Sequence, residues 1–467
     1  MLLLDLPLEL LHEILGWSIL IRGIKRGLRL RLVNKMFARE VLVTLPLFKT
    51  LDPYPQPSKV SGDTSILPIT TTYLERRVLN ERQGGSAVLL RIRSVAAQLC
   101  QESVDGSDEQ EYIKQLCPLV IETCRVHLDE IWSVDQNVCK RKGAIYSNDL
   151  ASDVYLAALY TNTWPVVTRW ARSGRSLLQR SLIFGDARNH AARFGSTQVL
   201  AAMIESRHED TFQMMRSYFL MRTAEAGRME IVRFVFNFKA TQHPWAFARK
   251  RSRPIYPFFN EQGLAMLNTP SKEVFDFITE KRRIHCTTRT YGVKENTNFL
   301  LHCARKGWAD MAAQYLALGA LVDGPESGSI DENQRPLLLA CKYGHEDVVR
   351  VLLANGASTT APALETAVKH GQFTIAYLLL DQGAEVGRAV AEAVAKGYRV
   401  MVHTLLERRT DARAGLQGLL VRAFELEDEA LFQLLVQHSG GVVEEITRSE
   451  CARVAKERGL ESMSKTL

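Results

Sequence analysis

The sequence predicts an all-α protein: a solenoid of helix-turn-helix repeats with short hairpins, preceded by a small helical module. Three observations carry that expectation. A pattern clearest over 333–358, in which a helix with small residues, a glycine turn and a second apolar helix succeed one another, returns several times. At 467 residues the chain is too long for one ordinary core. A stack of units avoids that limit, because each buries its apolar face on its neighbours. Residues 1–50 hold a separate leucine-rich pattern, set off by prolines from the rest of the chain.

In that first module, Asp5 stands where a carboxylate accepts from the free amides of a helix start. Leu10, Leu11, Ile14 and Leu15 make an apolar stripe at helical spacing. After a turn near Gly23 and Gly27, Leu28, Leu32, Val33, Met36 and Phe37 again share one side, and Pro46 ends the segment. The opening Leu6-Pro7-Leu8-Glu9, the Ile14-Leu15 pair, and the later Leu30-x-x-Val33-Asn34-Lys35-x-Phe37 together resemble an F-box. The resemblance covers about 45 residues, a length that rarely buries enough surface to stand alone. It departs from the family over 16–27, where glycines and Ile19-Leu20-Ile21 replace a short acidic connection, and at Asn34, where cysteine is commoner. The resemblance implies a Skp-type linker of a cullin–RING ubiquitin ligase as partner. Leu6, Pro7, Leu10, Ile14, Leu15, Leu32, Val33 and Phe37 would make or support that contact, with alternate leucines holding the module together. The same leucines also fit a plain cap on the repeat stack.

Residues 51–73, with Pro53, Pro55, Pro57 and Pro68, form a proline-rich linker that argues against tight docking of the module on the array. Residues 74–150 form a helical segment without a clear repeat. Val88, Ile92, Val95, Ala96 and Leu99 make one stripe, and Tyr112, Leu116, Leu119 and Val120 belong to another. This segment either covers the first face of the array, as terminal units need a polar outer side, or holds degenerate repeats.

Residues 151–467 form the repeat array. In its clearest unit Pro336 opens a helix. Leu337, Ala340 and Cys341 give that helix a small apolar face, and Gly344-His345 turns the chain. Val348, Val349, Leu352 and Leu353 face back onto it, and Asn355-Gly356 stops the second helix. This order resembles the ankyrin repeat. Copies centre on Gly195, Gly227, Gly307, Gly371 and Gly397, with weaker ones at Ala157-Ala158, Asn268, Glu427 (where glycine is expected) and Gly459. That makes roughly ten units near the 33-residue period. Inserted near 244–259 is a cluster of basic and aromatic residues that includes Arg249, Lys250, Arg251 and Arg253. It fits a nuclear-import signal, an anionic contact, or a long loop folded over its own base.

Composition narrows the function. A hydrophobic content of 46% and a charged content of 24% are ordinary for a soluble chain, and the net charge of +7 is mild for this length. No apolar run nears a membrane span of about 20 residues. The leucine-rich start lacks a basic flank and is interrupted by Asp5, Glu9, His12 and Glu13, so it is not a signal peptide. The eight cysteines show no C-x-x-C pair, and Cys303 and Cys341 fall where a thiol packs like alanine. With no N-x-S/T sequon either, the expected setting is cytoplasmic or nuclear. No motif for nucleotide, zinc or nucleophile chemistry appears, so the expectation is a non-enzymatic chain without cofactor or metal, and no membrane or nucleic-acid partner. His190 and His302 sit five residues before turn glycines, at variable helix positions.

The two resemblances together imply a substrate receptor. The module would recruit the ligase linker while the array holds a target protein, raising effective concentration. By the ankyrin resemblance the array's contacts would come from Arg305, Lys306, Trp308, Asp331, Glu332, Gln334, Lys342, Tyr343, Lys369 and His370. The alternative is an ankyrin scaffold without a ligase role.

Overall fold

The computed structural model describes residues 6–22, 27–28, 30–32, 34–49, 67–81, 85–102, 108–123, 149–205, 209–238, 267–285, 292–325, 335–359, 361–386, 388–408, 415–458, 460 and 463. They divide between two compact units, Met1–His285 and Cys286–Leu467. Both are helical. The strands among the described residues are one antiparallel pair, so the all-α solenoid expectation holds. No helix among these residues is long and apolar enough to cross a membrane.

In the first unit α1 (Leu8–Arg22) packs against α2 (Lys35–Leu47), with a single 3-10 turn at Leu30–Leu32 before it. Leu11, Leu15 and Ile19 of α1, Phe37, Val41 and Leu45 of α2, and Tyr73 form one buried cluster. Asn34 is explained by its position: its side-chain oxygen accepts from the Phe37 amide at 2.8 Å, capping α2. Three expectations need correction. α1 does not stop at Gly16 but continues to Arg22. Gly16 is there because a Cβ would come within 2.3 Å of the Phe48 ring. Helix α2 runs through Pro46 to Leu47. The last residues of the expected linker are helical, since α3 spans Leu67–Asn80, and its Tyr73 seals the module's core. The module therefore packs on chain beyond it.

Next come α4 (Ala87–Glu102) and α5 (Glu109–Thr123), which pack on each other and on α6 (Leu150–Thr161). After α7 (Trp164–Arg172), β1 (Arg180–Ser181) pairs with β2 (Gly185–Asp186) in the register Arg180 to Asp186. α8 (Ala187–Phe194), α9 (Thr197–Glu205), α10 (Glu209–Glu225), α11 (Met229–Asn237) and α12 (Lys272–His285) complete the unit. The turn at Gly195 differs from expectation. Its φ of −64° is not left-handed, and glycine is needed because a Cβ would lie 2.4 Å from the Ala191 carbonyl oxygen.

The second unit is a two-layer stack. Its first helices are α13 (Val293–Lys306), α15 (Pro336–Tyr343), α17 (Ala361–Lys369), α19 (Ala389–Lys396) and α21 (Leu416–Glu425), which pack in succession. The second helices are α14 (Ala309–Ala317), α16 (Glu346–Ala354), α18 (Phe373–Asp381), α20 (Arg399–Glu407) and α22 (Glu429–His438). α23 (Glu445–Arg458) closes the row against α21. In α15 not only Leu337, Ala340 and Cys341 but also Leu338 and Leu339 are buried, because a helix with neighbours on both sides has little outer face. Burial pushes the Cys303 and Cys341 thiols up to about 12, as expected of packing groups.

Candidate functional site

Two surfaces carry the residues expected from the sequence, one in each unit. The first is α1. A helix of this pitch has opposite stripes, and α1 is apolar on both. Leu11, Leu15 and Ile19 face inward. Leu10, Ile14, Trp17 and Ile21 recur at helical spacing on the other side and are exposed, as are Leu8 and Leu20 elsewhere on the helix. Leu10 is 52% exposed, Trp17 57% and Ile21 81%. Glu13, Ile14, Trp17, Ser18 and Ile21 line a shallow open depression. Trp17 is held in place: its indole N–H donates to Glu13 at 3.1 Å, and its ring meets Phe48 edge-on at 6.3 Å.

The residues expected to meet a linker therefore separate. Pro7, Leu10 and Ile14 are exposed, and Leu6 is half-buried. Leu15 and Phe37 belong to the core and support the surface from below. The Leu32 side chain and Val33 lie outside the described residues. The sequence-based stripe of Leu10, Leu11, Ile14 and Leu15 merges two faces and misses Trp17 and Ile21. The recurrence Leu10, Ile14, Trp17, Ile21 reveals them, but the F-box resemblance sets 16–27 apart as the connection between two helices. Beneath this surface His12 and Glu40 meet at 2.8 Å across α1 and α2. The His12 bond, with Arg39 adding to it, holds the Glu40 carboxyl below its usual range against the opposing effect of burial.

The second surface is the edge formed by the turns of the second unit. Gly307, Gly344, Gly371 and Gly397 have φ between 71° and 81°, and Glu427 takes the same conformation at 55°. The residue after each turn is also alike: Trp308 (φ −88°, ψ 83°), His345 (−88°, 80°), Gln372 (−86°, 72°) and Tyr398 (−85°, 74°). Each of their amides donates to the carbonyl five residues back, from 2.8 Å for Gln372 to Ala367 to 3.1 Å for Trp308 to Cys303. Adjacent turns touch. The His345 Nε2 lies 3.1 Å from the Arg305 carbonyl oxygen, the Gln372 side chain lies against Gly344, and the Tyr398 hydroxyl lies against Gly371.

This edge carries most of the expected array residues. Arg305, Lys306 and Lys369 are exposed, while Trp308, Lys342, Tyr343 and His370 are half-buried. The Trp308 and His302 rings meet at a tilt with centroids 5.2 Å apart, and Tyr343 lies nearly parallel to His345 at 6.3 Å. Asp331, Glu332 and Gln334 lie outside the described residues, as does the basic insertion at Arg249 to Arg253. Lys396 joins the edge although the sequence did not single it out, because its repeat is short and faint. Among the described residues no group of His, Cys, Asp and Glu is placed to hold a metal ion.

A family model for ankyrin repeats, in three copies, matches residues 264–363 and 300–390. The chain thus carries ankyrin repeats, a protein–protein interaction module, across the segment that contains α13 to α18. A search of curated proteins finds no match.

Proposed function

We propose that this chain is a protein-binding adaptor of the F-box type. It would recruit a target held on its ankyrin edge to a Skp–cullin–F-box ubiquitin ligase, and perform no chemistry itself. The observation that supports the reading most is the two-sided α1. One stripe builds the core of the module, while Leu10, Ile14, Trp17 and Ile21 stand exposed together on the same helix. A contiguous apolar surface of that kind marks a protein contact. Leu10 and Ile14 lie in the stretch that carries the F-box resemblance, and a Skp-type linker is the partner that resemblance names.

The test is co-precipitation of the full-length chain with the purified linker. We expect retention of the linker by the natural chain. Ile14→Asp combined with Leu10→Asp should abolish it, since each buries a carboxylate in an apolar contact, while circular dichroism stays unchanged. If the natural chain fails to retain the linker, the ligase role is overturned and the ankyrin scaffold reading stands in its place.

A further inference from the structure

We propose that the turn edge of the second unit binds an extended acidic segment of a protein partner, with carboxylates spaced about three residues apart. This rests on the adaptor reading and supplies the chemistry of what the array holds. The last turns of four successive first helices each present a cation: Arg305 and Lys306 on α13, Lys342 on α15, Lys369 on α17 and Lys396 on α19. Because the turns share one backbone conformation and touch in sequence, these cations fall in a single row rather than being scattered. Packed helices lie about 10 Å apart, so the row spans roughly 30 Å. A segment in the polyproline II conformation advances about 3.1 Å per residue with three residues per turn, so every third side chain lies on one face and meets the next station.

The counter-charges leave three of these cations available. Arg305, Lys369 and Lys396 are exposed and have no ion pair among the described residues. Asp310, Glu346 and Asp347 stand at the starts of the second helices, and Glu346 is engaged by Arg350 at 2.6 Å. At the fifth turn the row ends in acids that are already matched, Asp428 to Arg399 at 2.8 Å and Glu425 to Arg422 at 2.6 Å. A helix C-terminus favours a cation through its dipole. That explains why lysine is tolerated at each end, but the stacking of the turns is what aligns the cations. The nearby aromatics argue for a peptide over a single-stranded nucleic acid. Trp308 lies against His302, Tyr343 along His345 and Tyr398 edge-on to Phe373 at 4.8 Å, so these rings meet one another instead of standing as separate stacking platforms.

The experiment measures fluorescence anisotropy with the full-length chain. The probe is a labelled peptide of about twelve residues, glutamate at every third position and serine and glycine between. A matched peptide with glutamine and a thymidine oligonucleotide of equal length serve as controls. We expect the glutamate peptide to bind and the glutamine peptide to bind at least about tenfold more weakly. The variant Lys342→Gln, Lys369→Gln, Lys396→Gln should lose a similar factor with its thermal midpoint retained, and Lys396→Glu alone should weaken binding as well. Equal binding of the two peptides, or an unaltered triple variant, overturns the proposal. So does an oligonucleotide that binds more tightly than the peptide and is lost with the same substitutions. The α1 variant must bind the peptide like the natural chain. Loss of the linker alone therefore counts against the ligase reading, and loss of the peptide alone against this one.

Discussion

The helix ends of the two units are finished in different ways. In residues 286–467 the backbone does it. A left-handed glycine at Gly307, Gly344, Gly371 or Gly397 lets the next amide reach a carbonyl five residues back, and at the first of them the His345 ring adds a contact to the Arg305 carbonyl oxygen. In residues 1–285 Asn162 and Gly227 close the same way, but other ends depend on distant arginines. Arg228 donates to the Ala192 and Gly195 carbonyl oxygens at 3.3 and 2.8 Å, finishing α8 from the turn before α11. Arg216, buried in α10, donates to Val235 at 2.9 Å and to Phe236, finishing α11. The first unit also buries the pair Arg77–Glu81 at 2.6 Å and the carboxylate of Asp153. Backbone turns make a unit repeatable, whereas side-chain caps tie a unit to one set of neighbours.

Four substitutions test that contrast. Arg216→Met should have the largest effect. It strands one buried and one half-buried carbonyl at the end of α11, and hydrogen bonds to a charged donor are worth about 1.5–3 kcal/mol each. Burial already pushes the guanidinium down to about 10, so removing the cation relieves some desolvation, leaving a net loss of about 3 kcal/mol in urea unfolding. An unchanged midpoint would mean that α11 is capped by the backbone after all.

Asp153→Asn should stabilise. Burial raises the Asp153 carboxyl to about 6, against the opposing effects of a Ser181 hydrogen bond and of Arg91 at 3.7 Å; Asp149 raises it slightly further. The folded protein therefore holds a proton more tightly than the unfolded chain. Stability falls as pH rises from about 4 to about 6, by about 1.4 kcal/mol per unit of pKa difference. The variant should gain about 2 kcal/mol at pH 7.5 and nothing at pH 3.5. A gain independent of pH would assign it to packing instead.

The smaller pair probes the turns themselves. At Gly371 a Cβ would meet only the Tyr398 hydroxyl at 3.3 Å, so Gly371→Ala isolates the left-handed backbone and should cost about 1 kcal/mol. Glu427→Gly reverses the argument at a turn where a non-glycine residue already holds φ 55°, and should gain up to about 1 kcal/mol in thermal unfolding. A loss at Glu427 would show that its side chain contributes more than its backbone strain removes.

Legibility in the sequence divides along the same line. Pro336, Gly344 and Gly356 announce their helix boundaries because the signals are local and steric. Cys303 and Cys341 fall where a small apolar group is wanted, and both are buried. Gly16 and Gly195 mislead, since both are glycine for close approach, Gly16 to the Phe48 ring and Gly195 to the Ala191 carbonyl, and nothing in a sequence separates that from a turn. Tyr73 reads as linker in the sequence because its partners, Leu11 and Val41, lie far back along the chain.

The sequence by itself determined the helices, their apolar periodicity and the turns that pair them, because φ preference, side-chain size and hydrogen-bonding capacity act over a few residues. Tertiary structure decided which stripe of α1 faces inward. Two apolar faces are equivalent until α2 and Tyr73 cover one of them. It also decided that Lys306, Lys342, Lys369 and Lys396 lie along one edge. Charges separated by whole repeats become neighbours only when the repeats stack in register.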